Sequence, residues 1–293
     1  MTFRPRRSVL YMPGSNARAL EKAKTLPADC LILDLEDAVA PDAKETARDQ
    51  VAAAVRQGGY GPREVIIRIN GLTTPWGEDD LKAAAAANPD AILIPKVSAL
   101  QDLAGIEGML QQAGAAPDLA LWAMMETPLA MLNAGTIAAA STDTCPRLAA
   151  FVMGTNDLAK ETGALLVEGR APMLPWLMNC LAAARAYRLD ILDGVYNDFG
   201  NAEGFAAECR QGVELGMNGK TLIHPKQIEP CNAAFSATAE EVERARAIIA
   251  AFDLPENANK GTIQLDGRMV ERLHADMARR TVAIADAIAA RTS

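Results

Sequence analysis

The feature of this sequence that most limits its fold is a regular alternation of short apolar runs with longer, alanine-rich segments. Each apolar run is close to the length of a typical β-strand, about five or six residues. The runs occupy residues 8–12, 30–35, 65–69, 91–97, 120–125, 148–153, 189–195 and 220–223. Segments of helical length lie between them, at residues 17–26, 44–57, 78–87, 100–113, 129–139, 172–187 and 202–215.

This alternation predicts an α/β fold with a parallel sheet. Several runs are apolar almost throughout, which is typical of strands that are covered on both faces. An open doubly wound sheet shows the same alternation, but a set of eight strand–helix units favours a closed (β/α)₈ TIM barrel. No Gly-x-Gly-x-x-Gly motif follows the first strand, which further disfavours the open sheet.

The pattern changes after Pro225. Two helical segments, residues 239–252 and 268–290, are separated by a polar, turn-rich stretch. We therefore predict a catalytic barrel domain over residues 1–235 and a C-terminal helical segment over residues 236–293. Because an amphipathic helix needs a surface that covers its apolar side, we expect this segment to pack on an adjacent subunit.

Charge and composition exclude several classes of partner. Lys and Arg number 29 against 37 Asp and Glu, so the chain lacks the basic surface of a nucleic-acid-binding protein. No uncharged apolar stretch approaches the ~18 residues of a membrane-spanning helix. Five scattered cysteines without a Cys-x-x-Cys pair are typical of reduced thiols in the cytosol. We expect a cytoplasmic protein that binds neither nucleic acid nor a membrane.

The candidate functional residues follow the strands, because barrel enzymes assemble their sites at the carboxyl ends of the strands. They are Asp34, Glu36, Asp37, Arg68, Lys96, Glu126, Asp157, Asp193 and His224. Carboxylates that converge on one opening repel each other unless a cation lies among them. Oxygen ligands favour a hard ion such as Mg²⁺, and the chain has only two histidines for other chemistry.

Several of these residues stand in longer motifs that carry a resemblance to a known family. The motifs are RSVLYMPGSN from Arg7, LILDLEDAVAP from Leu31, IRIN from Ile67, METP from Met125, GTNDL from Gly154 and GKTLIHP from Gly219. In this order they resemble the citrate lyase β-subunit-like family of the HpcH/HpaI aldolase superfamily, close to the malyl-CoA and citramalyl-CoA lyases. The resemblance implies a Mg²⁺-dependent barrel that cleaves or forms a carbon–carbon bond between an acyl-CoA and an α-keto acid.

The resemblance also implies roles for individual barrel residues. Glu126 and Asp157 match the metal ligands of the family. Arg68 matches the arginine that holds the keto-acid or enolate oxygen. Glu36 and Asp37, together with Asp34, match an acidic cluster that orders metal-bound water.

Two further parts of the site are implied by the resemblance. Related lyases take a catalytic aspartate from the C-terminal segment of the adjacent subunit, where this chain has Glu271, and we expect Glu271 to act in its place. Asp266 is the alternative. Arg18 and Lys22 follow the Pro-Gly-Ser-Asn turn and match the region that contacts the CoA phosphates.

Each assignment has a structural alternative. Glu126 could form a buried salt bridge with Lys96, and Arg68 could pair with Glu36. Asp157 follows Asn156 at a position typical of a helix start. For Arg18 and Lys22 the alternative is a solvated helix face.

The leading hypothesis is a Mg²⁺-dependent lyase that cleaves a short 3-hydroxyacyl-CoA such as (3S)-citramalyl-CoA or (3S)-malyl-CoA. The products would be acetyl-CoA and pyruvate or glyoxylate. The alternatives are a citrate lyase β subunit that acts on a citryl thioester, a thioesterase activity, and a non-catalytic acyl-CoA-binding barrel. The resemblance implies a homo-oligomer, either a trimer or a hexamer.

Overall fold

A computed structural model describes residues 4–292 and confirms the predicted barrel. Within these residues, eight parallel strands close into a barrel in which each strand pairs with its neighbours in sequence and β1 pairs with β8. The strands are β1 (Ser8–Pro13), β2 (Cys30–Asp34), β3 (Glu64–Arg68), β4 (Ala91–Ile94), β5 (Ala120–Met125), β6 (Leu148–Met153), β7 (Asp190–Asp193) and β8 (Gly219–Leu222).

Helices connect the strands on the outside of the barrel. They are α1 (Ala17–Ala23), α2 (Lys44–Gln57), α3 (Gly77–Ala87), α4 (Leu100–Gln112), α5 (Pro128–Ala139), α6 (Thr155–Thr162), α7 (Leu174–Ala186) and α8 (Ala202–Leu215), followed by α9 (Ile228–Ala234). The short helices α6 and α9 were not predicted. β4 is shorter than predicted, because Pro95 has no N–H to offer the next strand and Lys96 adopts a left-handed conformation, with φ of 55°.

The apolar runs are continuous because each strand is buried on both faces. In β2, Ile32 packs inside the barrel with Ile66 and Trp122, whereas Leu31 and Leu33 belong to the layer between strands and helices. All of these side chains are almost fully inaccessible to water. The barrel interior is therefore a packed core, and it leaves the carboxyl ends of the strands as the place where polar groups gather.

One buried ionic network lies between the barrel strands β7 and β8 and the surrounding helix α8. Lys220 on β8 donates to Asp193 on β7 at 2.9 Å and to Glu208 at 2.6 Å. Arg170 donates to the other oxygen of Asp193 at 2.6 Å. Burial alone would raise the pKa of Asp193, but the charges of Lys220 and Arg170 outweigh it and hold that pKa below its usual value. Asp193 is therefore an ionised structural residue.

The remaining described residues, 4–5 and 236–292, form a separate compact unit. It contains α10 (Ala239–Asp253), a two-stranded antiparallel sheet of β9 (Thr262–Leu265) and β10 (Arg268–Glu271), and α11 (Arg272–Thr292). The helix predicted over residues 268–290 is present as α11 but begins four residues later, because the stretch before it, predicted as a turn-rich linker, forms a hairpin. Asp266 and Gly267 have φ of 49° and 75° and form the tight two-residue turn that joins the strands.

A small apolar core supports this hairpin. Ile263 of β9 and Val270 of β10 pack with Phe252 of α10 and Ala275 of α11. All four elements therefore bury apolar residues in one shared core within the unit itself. No helix among the described residues has the length and the apolar composition needed to traverse a lipid bilayer.

We expect replacement of Lys220 by Met to lower the free energy of unfolding by about 3 kcal/mol, because it leaves Asp193 and Glu208 buried with one cation fewer. The double variant Lys220→Met/Asp193→Asn retains the Arg170–Glu208 pair and should lose less than the sum of the single losses. Urea unfolding of the unmodified protein, the single variants Lys220→Met and Asp193→Asn, and the double variant measures both effects. Additive losses would contradict the proposed coupling.

Candidate active site

An ion pair at the ends of β2 and β3 anchors the first half of the site. Arg68 is the last residue of β3, and its guanidinium donates to both oxygens of Asp34 at 2.6 Å each. Asp34 also accepts the backbone N–H groups of Glu36 at 2.9 Å and of Ala38 at 3.0 Å. One carboxylate therefore fixes both the arginine and the loop that follows β2.

The nitrogen of the guanidinium that does not contact Asp34, Nη1, faces two further acids. Nη1 of Arg68 lies 2.9 Å from Glu36 and 3.0 Å from Asp37, and the guanidinium stands 4.8 Å from the ring centre of Tyr11. Burial raises the pKa of Glu36 to about 8; the charge of Arg68 opposes this shift, and the carboxylate of Glu126 adds to it. The predicted acidic cluster is thus present, and the Arg68–Glu36 ion pair is present with it.

Lys44, which sequence analysis missed, holds the backbone of this loop. Its ammonium, on the first turn of α2, donates to the carbonyl oxygens of Leu35 and Glu36 at 2.8 and 2.6 Å and to Asn70 at 2.7 Å. Burial lowers the pKa of Lys44. A lysine at a helix position that faces the barrel is unusual, and this could have identified Lys44 in the sequence.

The second half of the site is built from Glu126, Lys96 and Asp157. Glu126 follows β5 and is only 1% exposed. Its Oε1 accepts the backbone N–H of Lys96 at 2.8 Å and lies 3.9 Å from the ammonium of the same residue. That ammonium also contacts Oδ1 of Asp157, in the first turn of α6. The two predicted metal ligands therefore lie on either side of one cation.

The positive charge of Lys96 only partly offsets the cost of burying the Glu126 carboxylate. Burial raises its pKa to about 7, against the opposing charge and backbone hydrogen bond of Lys96, and Asp157 adds to the increase. A carboxylate with this environment gains free energy from an additional positive charge nearby.

A glycine makes this arrangement possible. A Cβ at Gly154 would stand 2.4 Å from Cβ of Glu126 and 2.7 Å from its Oε2, so any side chain at this position would displace the carboxylate. Gly154 immediately precedes α6 and lets the start of that helix approach β5 closely. The sequence analysis noted the motif that begins at Gly154. The need for glycine there, which is its close approach to Glu126, is visible only in the structure.

The donor set fits a hard divalent cation. Around the opening, five carboxylates, those of Asp34, Glu36, Asp37, Glu126 and Asp157, face the cations Arg68 and Lys96. No group of three or more His, Cys, Asp or Glu side chains within residues 4–292 is arranged to enclose a metal. Glu126 and Asp157 would therefore supply only part of a coordination shell, as is usual for Mg²⁺, which keeps several water ligands.

The remaining residues that were predicted from the sequence are not among the contacts of these two clusters. His224 stacks on Phe199, with ring centroids 4.8 Å apart, and its Nδ1 accepts the backbone N–H of Lys226. Arg18 and Lys22 are exposed on α1. In the C-terminal unit, Glu271 ends β10 and Asp266 lies in the hairpin turn.

A cavity of about 780 Å³ opens next to α6. Residues 166–170, residues 195–198, Asn201 and the exposed side of α8 line it, together with Thr155, which begins the helix that carries Asp157. A cavity of this volume accommodates a small organic ligand. It could not be predicted from the sequence, because segments after two different strands, β6 and β7, form its walls.

Two protein families match large parts of this chain. Residues 7–225 match the family described as HpcH/HpaI aldolase/citrate lyase, and residues 169–288 match carbon–carbon bond lyases of the TIM-barrel fold.

Individual relatives cover nearly the whole chain. A (3S)-malyl-CoA thioesterase from Cereibacter sphaeroides strain KD131 is 52% identical over 286 residues, which cover 98% of this chain and 96% of that protein. An L-malyl-CoA/beta-methylmalyl-CoA lyase from Cereibacter sphaeroides is 34% identical and covers 92% and 91% of the two chains. Among solved structures, CitE from Mycobacterium tuberculosis in complex with magnesium, acetoacetate and coenzyme A is 27% identical, with a TM-score of 0.74 and coverage of 95% and 97%.

We expect Gly154→Ala to weaken the binding of Mg²⁺ or Mn²⁺ by about 10- to 100-fold, because the added methyl group displaces Glu126. Isothermal titration of the metal alone measures this change. Gly135→Ala is the matched control, since a Cβ at this position in α5 meets no atom within 4 Å and should leave metal affinity unchanged. Equal affinities for the two variants would contradict the role assigned to Gly154.

Proposed function

Because this chain belongs to the HpcH/HpaI aldolase/citrate lyase family, we propose that it is a divalent-metal-dependent enzyme that acts on a short 3-hydroxyacyl-CoA thioester such as (3S)-malyl-CoA. The observation that carries this proposal is the pair Glu126 and Asp157, which both lie within 4 Å of one ammonium, with Glu126 in electrostatic reach of Arg68. The malyl-CoA relatives, and the magnesium and coenzyme A named for the CitE structure, support the choice of metal and substrate class.

Glu126 and Asp157 would hold the metal, which when bound polarises carbonyl groups and aligns oxygen ligands. Arg68 would donate to the substrate oxygen on which negative charge develops. Asp34 keeps the guanidinium in one orientation through two hydrogen bonds, so that little reorganisation is needed during the reaction. Arg18 and Lys22 would contact the CoA phosphates, and the barrel would act within a trimer or hexamer.

We propose hydrolysis as the net reaction with (3S)-malyl-CoA. Water is added across the C–S bond, and malate and free CoA are formed. The relative that is 52% identical over nearly the whole chain is named for this activity, which supports hydrolysis over cleavage.

Carbon–carbon cleavage is the second candidate. It breaks the bond between the hydroxyl-bearing carbon and its neighbour next to the thioester, and it gives acetyl-CoA and glyoxylate, or pyruvate from (3S)-citramalyl-CoA. The 34% identical lyase and the rigid placement of Arg68, which suits an enolate oxygen, favour this candidate.

We expect the purified protein with Mg²⁺ to release free CoA thiol and malate from (3S)-malyl-CoA. Quantifying CoA thiol, malate, acetyl-CoA and glyoxylate in one reaction distinguishes the two outcomes. Glu126→Gln should lower kcat/KM by on the order of 100-fold or more, because it removes a charged ligand. The exposed Asp79→Asn variant on α3 is the control and should keep full activity. Full activity of Glu126→Gln would reject the proposed site.

The general acid or base is proposed to be Glu271 of a neighbouring subunit. We expect Glu271→Gln to abolish Mg²⁺-dependent exchange of the acetyl-CoA methyl protons in deuterated water, while Asp266→Asn retains it. Proton NMR measures this exchange without overall turnover. Loss of exchange only in Asp266→Asn would transfer the role to that residue.

A further inference from the structure

Lys96 stands apart from the other cations of the site in both backbone and side chain. It follows β4 and Pro95, and its φ of 55° is a left-handed conformation that residues with a Cβ adopt at an energetic cost. In this conformation its backbone N–H donates to Oε1 of Glu126 at 2.8 Å. Its ammonium turns back toward the same oxygen and contacts Asp157. A single residue thus engages both carboxylates.

The ammonium occupies the position that a bridging cation would take. It lies 3.9 Å from Oε1 of Glu126 and in contact with Oδ1 of Asp157. An ammonium and a divalent ion cannot both contact these oxygens, because they compete for the same oxygen lone pairs and repel each other at such short distances. The backbone N–H carries no net charge and can remain on Glu126.

The Lys96 ammonium is also able to move away from the two carboxylates. Its side chain is 39% exposed, whereas Glu126 is 1% exposed, so the ammonium lies at the solvent side of the carboxylate pair. Arg68, by contrast, is 7% exposed and donates to both oxygens of Asp34, so it is fixed. Of these two cations, only Lys96 has a solvated position within reach of its own side chain.

We propose that Lys96 is a built-in, displaceable counter-ion that keeps Glu126 and Asp157 together when no metal is present and competes with the metal for them. This inference rests on the proposed function, in which both carboxylates bind a divalent ion. The competition lowers metal affinity relative to a site without Lys96. Once displaced, the ammonium lies at the mouth of the barrel, where it can offset negative charge on a carboxylated thioester.

The first test measures metal binding without substrate. We expect Lys96→Met to bind Mn²⁺ roughly fivefold more tightly than the unmodified protein, because no ammonium has to be displaced. The metal-free variant should also melt at a lower temperature and gain more thermal stability on addition of the metal. A lysine with a purely structural role predicts the lower melting temperature without tighter binding.

The matched control is Lys82→Met. Lys82 also bridges two carboxylates, those of Glu78 and Asp79, but on the exposed face of α3. We expect its replacement to change neither Mn²⁺ affinity nor the metal-induced gain in melting temperature. Unchanged or weaker Mn²⁺ binding by folded Lys96→Met would overturn the proposal.

The second test follows the ammonium directly. Brief labelling of the unmodified protein with an amine-acylating reagent, followed by peptide mass spectrometry, reports the reactivity of individual lysines. We expect labelling of Lys96 to increase severalfold in the presence of Mg²⁺, while labelling of Lys82 stays constant. Unchanged or reduced labelling of Lys96 would overturn displacement.

These measurements separate the two proposals. If the unmodified protein binds no divalent metal, the proposed function fails. If it binds metal with the same affinity as Lys96→Met and shows no change in labelling, the metal site stands and the role of Lys96 fails.

Discussion

The structure depends on how negative charge is compensated at the carboxyl edge of the barrel. Glu126 and Asp34 are each about 1% exposed, and an unpaired carboxylate at such a position would be protonated or would destabilise the fold. The chain uses two different solutions. Asp34 receives two short hydrogen bonds from Arg68, whereas Glu126 receives one backbone N–H and a more distant ammonium. The first pair is held by two direct hydrogen bonds, whereas the second depends on a partly exposed ammonium.

Close backbone packing makes these pairs possible. Gly14 approaches the backbone oxygen of Asp34, where a Cβ would stand 2.5 Å from it, and Gly154 approaches Glu126 in the same way. Each glycine joins a strand to its helix, so its loop packs against the acidic residue of a neighbouring unit, the following one for Gly14 and the preceding one for Gly154. The ionic pairs are therefore positioned by the main chain, which is more rigid than a set of surface side chains.

The fold could be predicted from the sequence because each strand of a parallel barrel is buried on both faces and reads as a continuous apolar run. The acids were predictable as well, since each follows one of those runs. The hairpin of the C-terminal unit was missed, although Asp266-Gly267 is a strong turn signal, because its strands have only four residues each and are largely exposed on one side. The pairing of Lys96 with Glu126 was named from the sequence as an alternative, and the structure has it. The left-handed backbone of Lys96 could not be predicted, because a left-handed lysine has no local sequence signature.

Hydrolysis and carbon–carbon cleavage make the same demands on this half of the site. Both need a polarised carbonyl group and a fixed positive charge, and in the proposed site Glu126, Asp157 and Arg68 would serve either reaction. The reactions differ in the proton transfers, because cleavage requires a proton to reach carbon and hydrolysis requires one to leave water. A carboxylate displaced by about 1 Å can lose on the order of 100-fold in a reaction that needs strict alignment. Glu271 carries its carboxylate one methylene further than the aspartate it matches. That longer reach disfavours transfer to a fixed carbon more than transfer from a mobile water molecule, which is the direction in which the proposed hydrolysis differs from the lyases.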